Sequence, residues 1–152
     1  MPRSPGNSPE QLRQYTFFVE RPLGKKVGTV LREHGLNVVL HLERFRDDAD
    51  DEEWIARAAA EGWVAITGDG RVRWNPRQKL AIRVSGLRCF SLTGNHWTGP
   101  EKAQAITSAL GRIAAILSSK PGPFVARINK AGEISSVYEF PPEAAATGQE
   151  EV

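Results

Sequence analysis

The stretch Trp63-Val64-Ala65-Ile66-Thr67-Gly68-Asp69-Gly70 is a short apolar run that ends in two glycines around an aspartate. A run of this length and composition is consistent with a buried strand, and the glycines favour a turn directly after it. If the strand lies in a parallel sheet, Asp69 follows its carboxyl end, the edge where open α/β sheets usually bind ligands. We therefore predict Asp69 as a site residue, although Gly-Asp-Gly is also a common turn sequence.

The segments before this strand alternate between strand-like and helix-like patterns. Residues 15–19 are rich in aromatic and β-branched side chains, and apolar residues recur at helical spacing over residues 23–34. Residues 36–42 predict a second strand, and a helix begins after it near Asp51. Because strand and helix alternate, we predict an α/β fold with helices on both faces of a mainly parallel sheet.

The second half of the chain continues this alternation and ends in a hairpin. Pro76 predicts the start of a short basic helix, residues 87–92 a fourth strand, and the Thr98–Glu101 spacing the capped start of a long helix. Residues 124–128 and 134–138 flank a loop that contains a glycine, which predicts a β-hairpin. We expect one domain over residues 15–140, a flexible lead at 1–14 and a flexible acidic tail at 141–152.

Composition excludes several classes of protein. Hydrophobic residues make up 40% of the 152-residue chain, which argues against global disorder. No apolar run approaches the length of a membrane span, and the polar N-terminus has no signal-peptide core. The single cysteine, Cys89, excludes an internal disulfide and is typical of a buried core thiol. We therefore expect a cytoplasmic protein without a membrane partner.

Charge is distributed unevenly along the chain. Residues 43–53 carry seven acids against two arginines, whereas residues 70–100 contain no acid and six lysines or arginines. Separate blocks of this kind suit a polyanion that is held by the basic side next to an acidic pocket. Solvated surface faces are the alternative explanation of such charge runs.

Carboxylates stand at the predicted carboxyl ends of three strands. Glu20 follows the first strand, residues 51–53 open the helix after the second, and Asp69 follows the third. Several oxygen ligands at one sheet edge suit Mg²⁺ or Mn²⁺, which would support phosphodiester hydrolysis. Each acid also has a structural explanation, since Asp51 or Asp50 can cap a helix and Glu20 can be solvated.

Three stretches of the chain resemble the PIN-like domains of VapC-type toxins. They are Phe17-Phe18-Val19-Glu20-Arg21-Pro22-Leu23-Gly24, Asp51-Glu52-Glu53-Trp54-Ile55 and Ile66-Thr67-Gly68-Asp69-Gly70-Arg71-Val72-Arg73-Trp74-Asn75-Pro76. The resemblance covers roughly residues 16–138. It implies a three-layer α/β/α PIN-like fold and a Mg²⁺- or Mn²⁺-dependent endoribonuclease, usually encoded beside an antitoxin that blocks its site.

The resemblance also implies roles for individual residues. The metal ligands and catalytic residues would be Glu20, Asp69 and the acid at the helix start, which is Asp51 or an adjacent glutamate. Independently of the resemblance, the basic and polar residues expected to contact RNA are Arg71, Arg73, Asn75 and Lys25. RNA is the expected substrate and a cognate antitoxin the expected protein partner, and a homodimer is left open.

Two positions depart from the family pattern. The first acid is commonly Asp, so Glu20 places its carboxylate one methylene farther out. Many PIN domains carry a fourth acid two residues after the third, where this chain has Arg71. The alternative is therefore a catalytically inactive PIN-like module that binds RNA or a protein. A phospho-accepting receiver domain is disfavoured because no acid pair follows the first strand.

Overall fold

A single six-stranded sheet forms the centre of the computed structural model, which describes residues 10–68, 75–94 and 96–140. The strands are β1 (Thr16–Val19), β2 (Asn37–Leu40), β3 (Val64–Thr67), β4 (Arg88–Leu92), β5 (Phe124–Ile128) and β6 (Ile134–Glu139). Their order across the sheet is β2-β1-β3-β4-β5-β6. All neighbours pair in parallel except β5 and β6, which are antiparallel. The predicted mainly parallel sheet with a C-terminal hairpin is confirmed.

Helices cover both faces of this sheet. Within the described ranges they are α1 (Gly24–Glu33), α2 (His41–Arg44), α3 (Asp51–Ala60), α4 (Pro76–Ser85), α5 (Gly99–Ser108) and α6 (Leu110–Ser119). Buried residues of α1, α5 and α6 pack with Phe17 and Ile66 on one face. Those of α3 and α4 pack with Phe18 and Ala65 on the other. The predicted three-layer α/β/α architecture is confirmed.

The strand patterns explain why both faces are covered. Successive side chains of a strand point to opposite faces, so a strand buried on both sides is apolar at nearly every position. All four residues of β3, Val64 to Thr67, are buried. The strand that the opening stretch predicts is therefore a central strand between β1 and β4.

The structure corrects the predicted flexible lead at its last five residues. Glu10–Gln14 form a 3₁₀ helix, and its Leu12 is fully buried in the core. A single apolar residue among polar ones gives no periodic signal, which explains why the sequence did not predict this contact. Residues 1–9 and the predicted tail at 141–152 lie outside the described residues.

Three local predictions also change. The second strand ends at Leu40 rather than residue 42, because the Leu40 backbone N–H donates to Glu43 Oε1 at 2.9 Å and α2 begins. The long helix divides at Ala109, whose ψ of −4° departs from helical geometry. Asp50 precedes α3 but makes no side-chain cap, whereas the Thr98–Glu101 capping box is confirmed. None of the described helices is both long and apolar enough to cross a membrane.

Candidate active site

A row of buried polar side chains crosses one face of the sheet near its carboxyl edge. Thr67 on β3 is in register with Ser91 on β4, and Ser91 is in register with Arg127 on β5. All three are buried. Two positions earlier on each strand, the same face carries apolar residues that pack against α3 and α4. The polar row therefore lies at the carboxyl edge of the sheet, next to an apolar layer on the same face.

Glu20 and His41 extend this row to the first two strands. Glu20 follows β1, and its backbone N–H continues the ladder by donating to the Ile66 carbonyl at 3.0 Å. His41 follows β2, and its ring lies 6.1 Å from that of Phe18 on the same face. Among the described residues, the buried polar side chains are these five and Gln78. Their concentration at one edge marks this edge as the candidate site.

Asp51 joins Glu20 at the same place. It is the first residue of α3, and it lines a cavity of about 170 Å³ with Glu20, His41 and Trp54. The sequence predicted that Glu20 and Asp51 would converge, and both side chains line this cavity. Their assignment as metal ligands stays a prediction.

The structure distinguishes Asp51 from the two glutamates that follow it. Glu52 forms a salt bridge of 2.6 Å with Arg77, and Glu53 is exposed. Of these three acids, Asp51 is the one that lines the cavity with Glu20. Since a shared ion needs oxygens that face the same space, we take Asp51 as the helix-start ligand to be tested.

Two neutral groups hold the carboxylate of Asp51. The indole Nε1–H of Trp54, one turn later on α3, donates to Oδ1 at 2.9 Å. The side-chain amide of Gln78 on α4 donates from Nε2 to Oδ2 at 2.8 Å. Each oxygen of Asp51 is thus oriented by a donor from a different direction.

His41 is a buried imidazole beside both acids. Burial lowers the pKa of His41 below its usual value, and the charge of Arg21 lowers it further, whereas the nearby carboxylates of Asp47, Asp51 and Glu53 act in the opposite direction. The neutral form of the ring is therefore favoured at neutral pH. His41 was not predicted as a site residue because the predicted second strand extended to residue 42 and included it, whereas β2 ends at Leu40.

The described residues supply some of the oxygen ligands that a hard divalent cation needs. Glu20 and Asp51 supply two carboxylates to one cavity, and Mg²⁺ is usually bound by one or two carboxylates together with water and phosphate oxygens. Within residues 10–68, 75–94 and 96–140, no three His, Cys, Asp or Glu side chains form a group that could hold a metal ion. The predicted third ligand, Asp69, lies outside these residues, as do Arg71 and Arg73.

The two remaining predicted RNA contacts have different surroundings. Asn75 caps α4, and its Oδ1 accepts from the Gln78 backbone N–H at 2.9 Å, which gives it a structural role. Lys25 lies in the first turn of α1, which contains no acid, and lines a cavity of about 320 Å³. Glu20 and His41 also line that cavity, so Lys25 is next to the candidate site.

Sequence reasoning also missed Gln78, Ser91 and Arg127. The available signal was a polar or charged residue inside an apolar strand: Ser91 within residues 87–92, and Arg127 within residues 124–128. Such residues are rarely buried without a partner or a function. Gln78 gave no comparable signal, because polar residues are ordinary in the first turn of a helix.

Comparison with known proteins gives one match. The sequence model of a family described as "PIN like domain" matches residues 16–94, just over half of the chain. The matched range extends from β1 to the end of β4 and contains Glu20, Asp51 and Asp69. No curated protein and no solved structure gave a significant match.

Proposed function

The chain belongs to the family of PIN-like domains, and from this we propose that it is a Mg²⁺- or Mn²⁺-dependent endoribonuclease, the toxin of a toxin–antitoxin pair. Members of this family are generally nucleases. The observation that carries the proposal is the cavity at the carboxyl edge of the sheet, which Glu20 and Asp51 line together. Asp69 follows the adjacent strand β3 by two residues and is the proposed third ligand.

Glu20 and Asp51 are supported in different ways in the proposed site. The backbone of Glu20 is fixed by the β1–β3 ladder, and the carboxylate of Asp51 is fixed by Trp54 and Gln78. When bound, the ion would activate water and offset the negative charge that develops on the scissile phosphate. Lys25, Arg71 and Arg73 would bind flanking phosphates and so position the RNA.

The proposed protein partner is an antitoxin that covers the same edge of the sheet. The cavity beside Lys25 adjoins the candidate site through Glu20 and His41. A bound protein that fills this region would exclude RNA from Glu20 and Asp51 at the same time. Co-expression with the neighbouring open reading frame would test this partner by joint purification and loss of cleavage.

Replacement of a proposed ligand is the first test. The purified chain should cleave single-stranded RNA with Mn²⁺, and Asp69→Asn and Asp51→Asn should each lower the rate by more than about 100-fold with the fold intact. Asp50→Asn is the matched control, because Asp50 is adjacent to Asp51 but its side chain caps nothing. Equal cleavage by wild type and Asp69→Asn would contradict the assignment.

A non-catalytic PIN-like module that binds RNA or a protein is the second candidate. It is favoured by Arg71, which occupies the position where many relatives carry a fourth acid. Calorimetric titration with Mn²⁺ separates the two candidates. A nuclease should show Mn²⁺ binding that Asp69→Asn weakens, whereas a module without a metal site should show none.

A further inference from the structure

We propose that Gln78 is a positioning residue of this site, and that it acts by orienting the carboxylate of Asp51 toward the cavity shared with Glu20. The inference rests on the proposed metal-dependent function. It assigns a role to α4, which the sequence predicts only as a short basic helix. Gln78 itself need not touch RNA or metal.

The contact joins two helices that are distant in sequence. Gln78 is 9% exposed, and its Nε2 donates to Asp51 Oδ2 across the interface between α4 and α3 at 2.8 Å. This length lies within the normal range of an N–H···O hydrogen bond, which depends on the angle as well as on the distance. The contact is therefore directional, unlike the apolar packing of Trp54 and Ile82 in the same layer.

The direction of the Gln78 amide is fixed by its second bond. Its Oε1 accepts from the backbone N–H of Asn75 at 3.0 Å, as part of the capping box that begins α4. A flipped amide would place Nε2 against that N–H and Oε1 against the carboxylate, and both contacts would be repulsive. The capping box therefore forces the donor of Gln78 toward Asp51.

Trp54 completes the arrangement from the other side. Its indole donates to Oδ1 while Gln78 donates to Oδ2, so rotation of the carboxylate would break one bond or both. An amide and an indole are neutral donors, so these bonds orient the carboxylate without cancelling its charge. The next acid, Glu52, is instead bound by a cation, because Arg77 forms a salt bridge with it at 2.6 Å. A carboxylate that is held in one orientation is suited to bind a divalent cation.

A purely structural role would not require this polar pair. A hydrogen bond inside a protein contributes only about 1 kcal/mol net, because both partners also bond to water in the unfolded chain. Apolar side chains of the same volume would join α3 and α4 at least as well. The capping box of α4 would be satisfied by glutamate as well as by glutamine, but only the amide of glutamine can also donate to Asp51. Orientation of Asp51 therefore explains why this residue is glutamine.

Gln78→Met tests the inference, because methionine keeps the length and most of the volume but cannot donate. We expect its Mn²⁺ affinity, measured by calorimetry without RNA, to fall about 10- to 100-fold, as is usual when the partner of a metal ligand is removed. In cleavage assays kcat should fall, whereas KM for RNA should stay within about twofold because Gln78 does not touch the substrate.

Glu101→Met is the matched control. Glu101 occupies the same third helical position in the capping box of α5, where it accepts from the Thr98 backbone N–H at 2.9 Å. This variant also loses a cap, but it should retain the Mn²⁺ affinity of the wild type. Urea unfolding in EDTA measures how much stability each variant loses without metal. A general loss of folding can therefore be told apart from a loss of Mn²⁺ affinity.

The possible results separate the inference from the function on which it rests. Weaker Mn²⁺ binding in Gln78→Met but not in Glu101→Met supports the role of Gln78. Equal Mn²⁺ binding by wild type and Gln78→Met, with Asp51→Asn impaired, overturns the inference and leaves the nuclease proposal intact. Absence of Mn²⁺ binding by the wild type contradicts the nuclease proposal, and the inference falls with it.

Discussion

Ser91 holds the backbone immediately before Asp69. Its buried hydroxyl donates to the Gly68 carbonyl at 2.6 Å, and the Thr67 hydroxyl donates to the same oxygen at 3.2 Å. Both hydroxyls belong to the buried polar row. A side chain of the neighbouring strand β4 thus holds the Gly68 carbonyl, one residue before the proposed third ligand in the sequence.

Although Ser91→Ala removes only one hydroxyl group, it should therefore slow RNA cleavage. We expect a loss of about 1 kcal/mol in the free energy of unfolding, together with slower RNA cleavage, because the Gly68 carbonyl loses its shorter bond. Ser118→Ala is the control, since that exposed hydroxyl on α6 also donates to a backbone carbonyl, Ala115, at 2.9 Å. Unchanged cleavage in Ser91→Ala would contradict this role.

Individual site residues could be predicted only where the order of strands and helices is enough to fix their position. Glu20 and Asp51 could be predicted because each directly follows a strand or opens the next helix, so topology fixes their location. His41 and Gln78 depend on the end of β2 and on the packing of α4 against α3. These are tertiary features that periodicity does not encode.

At the scale of elements, the β5–β6 hairpin packs closely against α5. Gly132 in its loop has φ of +83°, and a Cβ there would contact the Ser108 side chain and lie 3.1 Å from the Ala105 carbonyl oxygen. A left-handed conformation is costly for any residue with a side chain. The hairpin therefore requires glycine at this position.

Gly132→Ala should destabilise the protein by about 2 kcal/mol or more, from backbone strain and the close contacts with α5. Gly111→Ala is the matched comparison, because Gly111 lies in α6 with open space around its Cβ position. Alanine there should stabilise the helix by about 0.5–1 kcal/mol. Urea unfolding measures both changes, and equal effects would contradict this account.

Element order and type were largely predictable, whereas element ends were not. The alternation of apolar runs predicted four parallel strands and a C-terminal hairpin, and the signal was clear because central strands such as β3 and β5 are buried on both faces. The 3₁₀ helix that contains Leu12 and the short helix α2 were not predicted. Leu12 packs through long-range contacts, and α2 begins where the Leu40 backbone N–H donates to the Glu43 side chain.

At the scale of the whole molecule, metal binding should increase the free energy of unfolding. A ligand that binds only the folded protein raises the free energy of unfolding by about 2.7 kcal/mol at 100 times its dissociation constant. We expect Mn²⁺ to raise the urea midpoint, EDTA to reverse this, and Asp69→Asn to show a much smaller shift. The same shift in Asp69→Asn would show that the ion binds elsewhere.

The buried polar row has a consequence for the synthesis of the protein. Its members come from both ends of the described chain, from Glu20 after β1 to Arg127 on β5, and β3 and β4 lie between them in the sheet. A ribosome that has released only the first strands has therefore not yet supplied the whole row. The row is therefore complete only after β5, the last parallel strand, has emerged from the ribosome and joined the sheet.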